Sequence, residues 1–313
     1  MNKFCFSADI GGTTIKMGIF TINGDLIDKW EIKTDKSEKG KHILNDIVKI
    51  IDKKCQEKSI SKNDILGLGV GVPGPVDENG FVDGCVNLGW TKTNIKKELE
   101  NLMKINIAVA NDANVAALGE MWKGGGEGYN SIVMVTLGTG VGGGIISKGK
   151  IIAGNIGAAG EIGHITVNRN EIDNCNCGKK GCLEQYASAT GIVKIAKKFL
   201  KDYNTDSELR NLNNISAKDV LDYAKKGDKL SNDIINCICD YLGFSLANIS
   251  CVIDPEAFVI GGGVSRAGNF LIEKISHFYN KYAFYPCKNK IFCIAKLEND
   301  AGIYGCAKMV LGK

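Results

Sequence analysis

Between Gly160 and Glu184 the chain places a histidine and three cysteines where only a small, tightly turned unit can hold them: A-G-E-I-G-H, then C-N-C-G-K-K-G-C-L-E. His164, Cys175, Cys177 and Cys182 form a ligand set suited to tetrahedral zinc, and Gly178 and Gly181 let the backbone turn between ligands. Glu161 and Glu184 put carboxylates just outside it. The chain carries 12 cysteines, but unrelated core thiols fall at strand or helix spacings, not in a glycine-punctuated C-x-C-x4-C. A disulfide-stapled secreted scaffold is disfavoured because such scaffolds are mostly far shorter. Phe4–Ile10 is a short apolar run broken by Ser7 and closed by Asp9, without the small-residue cleavage site of an export signal. The expected compartment is the reducing cytoplasm.

With 313 residues, 44% of them apolar and 24% charged, the chain can build one large or two ordinary domains with real cores. No apolar run approaches the ~20 residues of a membrane span, so no membrane partner is expected. The net charge of +4 comes from scattered lysines rather than a basic block, which argues against nucleic acid as a partner. There are only three histidines, so His164 is not background.

Short β-like runs alternate with helical ones. Phe4–Ile10, Lys16–Phe20, Leu26–Ile32 and Ile65–Val72 read as strands, and Ile43, Ile47, Ile50 and Ile51 put an apolar stripe on a helix through 41–57. A Pro73-Gly74-Pro75 turn follows, then a polar helix near 92–104 and a strand at Ile105–Ala110. The pattern restarts with a strand at Ile132–Leu137, a glycine loop at Gly138–Gly144 and a strand at Gly144–Ser147. Helices are expected near 184–201, 216–226, 229–250 and 265–282, around a strand at Ala257–Ile260. Two α/β halves that each begin with strand, Gly/Thr loop and strand suggest an internal duplication with a cleft, and a hinge near residue 118.

Asp9-Ile-Gly-Gly-Thr-Thr-Ile-Lys16 follows one strand and feeds another, as does Leu137-Gly-Thr-Gly-Val-Gly-Gly-Gly144. Glycine lets backbone N–H groups approach a phosphate, threonine adds donors, and a strand-end aspartate can hold magnesium through water. Two such loops point to phosphate binding. Gly138, Gly140 and Gly143 fit G-x-G-x-x-G, but that dinucleotide motif must open a helix and here runs into a strand. Gly144, Gly149 and Lys150 imitate a P-loop, yet Ile151 stands where magnesium ligation needs Ser or Thr.

At Val109-Ala110-Asn111-Asp112 a strand ends directly in a helix. At an isolated junction Asn111 or Asp112 reads as an N-cap. At a cleft, the Asp112 carboxylate can take the proton of an attacking hydroxyl while Asn111 bonds a neighbouring one. Gly261-Gly262-Gly263 after the strand at 257–260 either admits a flat base and ribose or makes a tight β–α turn.

Taken in order, D-I-G-G-T-T-I-K at 9–16, N-D-A-N at 111–114, L-G-T-G-V-G-G-G at 137–144, E-I-G-H at 161–164, C-x-C-G-x-x-G-C-x-E at 175–184 and G-G-G at 261–263 resemble the ROK family of repressors, open reading frames and kinases. The segment Gly157–Val167 is most similar to its bacterial ATP-dependent glucokinases. The resemblance implies an actin-like ATPase (ribonuclease H-like) fold, two α/β lobes around a central cleft where sugar and ATP meet. It implies a small lobe of residues 1–117 plus a returning C-terminal helix at about 300–313, and a large lobe of 118–299 with the zinc knuckle. Asp112 then resembles the catalytic base for phosphorylating the glucose 6-hydroxyl. Gly74, Asn111, Asp112, Glu161, His164 and Glu184 resemble the sugar site. Asp9, Gly11, Gly12, Thr13, Thr14, Lys16, Gly138, Thr139 and Gly140 resemble the phosphate loops, and Gly261, Gly262 and Gly263 the adenosine site. His164, Cys175, Cys177 and Cys182 resemble the structural zinc site. The implied cofactors are ATP, Mg2+ and Zn2+, and the expected assembly is a homodimer or homotetramer.

Other classes fit less well. ROK repressors carry a helix-turn-helix before the first phosphate loop, and only eight residues precede Asp9 here. A sugar-binding module with a dead nucleotide site would be expected to lack Asp112 or a loop glycine. The nearer alternative is a kinase for another hexose or an N-acetylated amino sugar: fructose, mannose, N-acetylglucosamine or N-acetylmannosamine.

Overall fold

The computed structural model describes residues 3–77 and 79–312. In chain order it holds β1 (Phe4–Ile10), β2 (Thr14–Thr21), β3 (Leu26–Lys33), α1 (Ile43–Glu57), β4 (Ile65–Val72), β5 (Phe81–Cys85), β6 (Trp90–Asn94), α2 (Ile95–Met103), β7 (Asn106–Asn111) and α3 (Asp112–Lys123). Then come β8 (Ile132–Leu137), β9 (Val141–Ser147), β10 (Lys150–Ile151), α4 (Glu184–Ala187), α5 (Ala189–Asp202), α6 (Ala217–Lys225), α7 (Lys229–Ile253), β11 (Ala257–Gly261), α8 (Asn269–Tyr282), β12 (Ile291–Ile294) and α9 (Ala301–Leu311). Two compact units emerge: Met1–Asn130 with Gly144–Gly160 and Leu297–Lys313, and Ser131–Gly143 with Glu161–Lys296.

The first unit is built on a sheet of order β3-β2-β1-β4-β7, with β1 antiparallel to β2 and parallel to β4. Side chains alternate across a strand. Phe6, Ala8 and Ile10 of β1 therefore join Ile43, Ile47 and Ile51 of α1 and Leu99 of α2 in one core, while Cys5 packs with Ile303 and Ala307 of α9 on the other face. Strand β4 reads I-L-G-L-G-V-G-V for the same reason. Leu68, Val70 and Val72 enter the α1 core, whereas Gly67, Gly69 and Gly71 leave a trough in which α9 lies directly on the sheet. A Cβ on Gly69 would run into the Cys306 backbone, and one on Gly67 would come within 3.0 Å of Val310. Helices α3 and α9 also meet backbone to backbone: a Cβ on Gly119 would strike the Ala301 carbonyl, and one on Gly305 the Val115 carbonyl. Residue 118 thus falls inside a helix that stays whole within this unit; the chain leaves it after Asn130.

In the second unit β8, β11 and β12 are parallel and lie side by side in the order β8-β11-β12. Phe258 of β11 stacks on Phe292 of β12 at 5.1 Å. Helix α7 has the length and composition of a membrane span, 25 residues with a mean hydropathy of 1.3 over its most apolar stretch. Of that stretch 61% is buried, including Ile234, Ile238, Leu242 and Leu246, so it serves as a core helix.

Several sequence expectations shift. The helix expected from 92 starts at Ile95, because Trp90–Asn94 pairs with Phe81–Cys85 as a hairpin and the Asn94 side chain caps α2 by accepting the Lys97 N–H at 2.9 Å. The helix expected through 184–201 breaks at Ser188, whose hydroxyl accepts the Gly191 N–H at 2.9 Å and starts α5 anew. The glycine loop shortens to Gly138–Gly140, since β9 already begins at Val141.

Candidate active site and metal centre

His164, Cys175, Cys177 and Cys182 bring their ligand atoms within 4.8 Å of one another. Cys177 Sγ stands 3.6 Å from Cys182 Sγ, and Cys175 Sγ 3.9 Å from His164 Nδ1. A tetrahedron with metal–sulfur bonds of ~2.3 Å has edges of roughly 3.8 Å, so the set fits a zinc ion. Backbone geometry creates it. Gly178 and Gly181 adopt φ of +84° and +75°, a region costly for residues with a Cβ, and the Cys175 N–H bonds the Lys179 carbonyl at 2.7 Å. That segment's Lys179 backbone N–H holds the exposed Cys177 thiol below its ordinary pKa.

Glu184, the first residue of α4, ties this knuckle to the second glycine loop. Its Oε2 accepts the Val141 N–H at 3.0 Å, its Oε1 accepts from Cys175 Sγ at 3.8 Å, and a Cβ on Gly140 would run into Oε2. The loop is braced from behind: the Gly138 carbonyl accepts the Ala189 N–H at 2.8 Å, and the Thr139 carbonyl accepts the Thr190 hydroxyl at 3.1 Å. Thr139 itself is exposed, and the side of Gly138 where a Cβ would stand is open. The Glu161 carbonyl accepts the His164 N–H at 3.1 Å. Glu161 is exposed, and among the described residues no hydrogen bond or ion pair engages its carboxylate.

The glycine turn after β11 packs on the same loop. Gly262 has φ +83°, and a Cβ there would come within 2.5 Å of the Leu137 carbonyl oxygen. Beside Gly263 lies a cavity of about 390 Å³, lined by Val264 and Arg266 and by Ala217, Leu221 and Lys225 of α6. An apolar slot with cationic groups at a glycine turn can take a flat base and a phosphorylated ribose.

The first unit supplies the other groups. Asn111 is the N-cap of α3: its Oδ1 accepts from Ala113 at 2.9 Å and Asn114 at 3.2 Å, while its Nδ2 donates to the Gly74 carbonyl at 3.0 Å and to Asp112 Oδ1 at 2.9 Å. An asparagine side chain has two donors and two lone pairs, so in this arrangement Asn111 orients its neighbours and offers no free group to a hydroxyl. Asp112 Oδ1 also accepts the Ala113 N–H at 2.8 Å, which fixes the carboxylate at the positive end of α3. Gly74 holds φ +98° in the proline turn.

Asp9, the next-to-last residue of β1, is pushed up to about 6 by burial and by the Asp112 charge, with Lys16 opposing. The Lys16 ammonium donates to the Asn299 carbonyl at 2.9 Å, so the structure places it on the C-terminal return. The Gly11 N–H bonds the Thr14 carbonyl at 2.9 Å, and Thr34, unmarked in the sequence, holds the loop through the Gly11 carbonyl at 2.7 Å and the Thr13 carbonyl at 2.9 Å. Gly12 is open on its Cβ side. Each unit therefore holds a linked set: Asp9 to Lys16, Gly74, Asn111 and Asp112 in the first; Gly138 to Gly140, Glu161, His164, Glu184, the thiols and Gly261 to Gly263 in the second. Besides Thr34, no sign in the sequence marked the Val141 amide as a partner of Glu184.

The ROK family pattern matches residues 5–313. The chain is 43% identical to a glucokinase of Halalkalibacterium halodurans, over 97% of this chain and 94% of that one. It is 33% identical to a glucokinase of Thermotoga maritima, over 96% and 95%. A ROK family glucokinase from Streptomyces griseus, solved in complex with glucose and AMPPNP, superposes with a TM-score of 0.70 at 30% identity, over 98% of each chain.

Proposed function

The chain belongs to the ROK family, with its actin-like ATPase fold, and we propose that it is a glucokinase, transferring the γ-phosphoryl group of ATP to the 6-hydroxyl of glucose to give glucose 6-phosphate. The observation that carries the reading is Asp112, a carboxylate fixed at the start of α3 by the Asn111 amide and its own helix. Such a group can take the proton from the attacking hydroxyl as the phosphoryl group arrives.

Phosphoryl transfer otherwise needs positioning and charge neutralisation. The open faces of Gly12 and Gly138 let backbone N–H groups approach the phosphates, and the cavity beside Gly263 suits adenosine. Asp9, whose proton affinity is raised first by burial and then by Asp112, would be relieved by a divalent cation; it would hold magnesium through water, and the ion would neutralise charge on the transferring phosphates. Glu161, His164 and Glu184 would read the sugar hydroxyls. Zinc would be held by His164, Cys175, Cys177 and Cys182 and fix the histidine ring. A reducing, cytoplasmic setting and a homodimer or homotetramer without nucleic-acid or membrane partners complete the reading.

A coupled assay across glucose, mannose, galactose, fructose, N-acetylglucosamine and N-acetylmannosamine, with ATP and polyphosphate as alternative donors, tests it. Glucose with ATP should give the highest kcat/KM. An N-acetylated sugar ranking first would keep a kinase and overturn the glucokinase.

A further inference from the structure

Helix α9 comes back from the far end of the sequence to lie in the glycine trough of β4, and its second residue, Gly302, sits against the Asp9 carboxylate. A Cβ built on Gly302 would overlap Asp9 Oδ2 and come within 2.5 Å of its Cγ. The other carboxylate oxygen faces Gly71, where a Cβ would approach Oδ1 to 3.0 Å. Asp9 is therefore seated between two glycines, one on the neighbouring strand and one in the first turn of α9.

Helix α9 has little room to yield. Gly69 brings the sheet against the Cys306 backbone, while Gly119 and Gly305 bring α3 against the same helix. These are backbone contacts in a close-packed interior, which do not relax as a side-chain tip does. A methyl group at 302 must therefore be absorbed by the short Asp9 side chain, which has to swing away from its present orientation.

Resting on the glucokinase reading above, we propose that Gly302 is a positioning residue for phosphoryl transfer: by having no side chain it lets the C-terminal helix close on Asp9 and set the direction of its carboxylate. The far C-terminus of the chain thereby becomes part of the first phosphate loop's machinery without touching a substrate.

Gly302→Ala is the test, read as a split between kcat and KM and as a double-mutant cycle with Asp9→Ala. Misplacement by about an ångström can cost ~100-fold in turnover, so kcat should fall on that scale while the glucose KM stays within about twofold. In thermal unfolding, Gly302→Ala should lower Tm when Asp9 is present. In the Asp9→Ala background it should be neutral or raise Tm, because the overlapping atoms are gone, the remaining Cβ contact is 3.1 Å, and alanine favours a helix over glycine. If Gly302→Ala alone does not fold, recovery of folding in the double variant carries the same conclusion, and failure of both overturns it. Equal Tm losses in the two backgrounds would mean that Gly302 serves only helix packing. A wild type inactive on every sugar overturns the glucokinase reading and this inference together, whereas an active wild type whose Gly302→Ala variant keeps its kcat overturns this inference alone.

Discussion

Asn111 donates an amide hydrogen to the Gly74 carbonyl at 3.0 Å while its side-chain oxygen caps the helix that starts at Asp112. One side chain thus fixes the proline turn, the start of α3 and the direction of the Asp112 carboxylate. Asn111→Ala should lose about 0.5–2 kcal/mol of stability for the cap alone, measurable by urea unfolding. Asn111→Asp keeps the acceptor and should retain most of that stability while losing turnover, because the bonds to Gly74 and Asp112 need donors. Turnover close to wild type in Asn111→Asp would count against the orienting role.

Asp112→Asn keeps the shape and some of the hydrogen bonding of the side chain but cannot accept a proton. Steady-state kinetics should show kcat reduced by ~10²–10⁴ with a much smaller change in the glucose KM. A variant with near-normal kcat removes Asp112 from the role of base.

The Asp9 carboxyl, raised to about 6 by burial first and by Asp112 second, gives a pH signature in magnesium-free protein. A folded pKa above the unfolded value means that this group's contribution to stability is full below about pH 3.8 and lost as pH rises through about 6. Asp9→Asn, which is never charged, should therefore raise Tm relative to wild type at pH 7.5 and not at pH 4. The ceiling is about 3 kcal/mol. The same variant should lose most kinase activity. A Tm difference that ignores pH would mean that Asp9 ionises without strain.

Where apolar residues alternate or repeat on one face, as in β1, β4, α1 and α7, burial writes the element into the sequence. The β5–β6 hairpin was hidden because its residues Phe81-Val82-Asp83-Gly84-Cys85 and Trp90-Thr91-Lys92-Thr93-Asn94 carry no steady alternation. The break at Ser188 was hidden because a capping serine in an apolar run looks like any helix residue. The gathering of His164, Cys175, Cys177 and Cys182 and the helix start at Asp112 were readable from residue type and spacing. The double duty of Asn111, the Lys16 bond to Asn299 and the seat of Asp9 on Gly302 depend on contacts 37, 283 and 293 positions apart, which local pattern does not encode.

A complete set of His164, Cys175, Cys177 and Cys182 leaves no open position for a catalytic water, so one structural zinc per chain is expected. Elemental analysis should find it, and stripping the metal should lower Tm, since a ligand that binds only the folded state stabilises it. Cys177 is exposed, so Cys177→Ser removes a ligand without opening a core cavity. Unchanged zinc content and unchanged sugar binding in that variant would show that the knuckle holds no metal.

The choice of sugar rests on Glu161, His164 and Glu184. Glu184 is braced by the Val141 amide and accepts from Cys175, whose sulfur stands 3.9 Å from His164 Nδ1, whereas the Glu161 carboxylate is exposed and without a protein partner among the described residues. A rigid pair and one uncommitted acceptor would read successive hydroxyls. A sugar that lacks or inverts one of them leaves its partner unpaired once the bound sugar has displaced water, at a cost of ~1–3 kcal/mol, or roughly tenfold to hundredfold in kcat/KM per hydroxyl. Glucose should therefore exceed mannose and galactose by that margin. Because the Glu161 carboxylate bonds to none of the described residues, Glu161→Ala should leave Tm close to wild type while weakening glucose and flattening the ranking among epimers. Competition assays that hold ATP constant and vary the sugar separate the two effects. If Glu161→Ala lowered activity on every sugar by the same factor, the carboxylate would be contributing to turnover rather than to recognition, and the specificity would have to come from Glu184 and His164 alone.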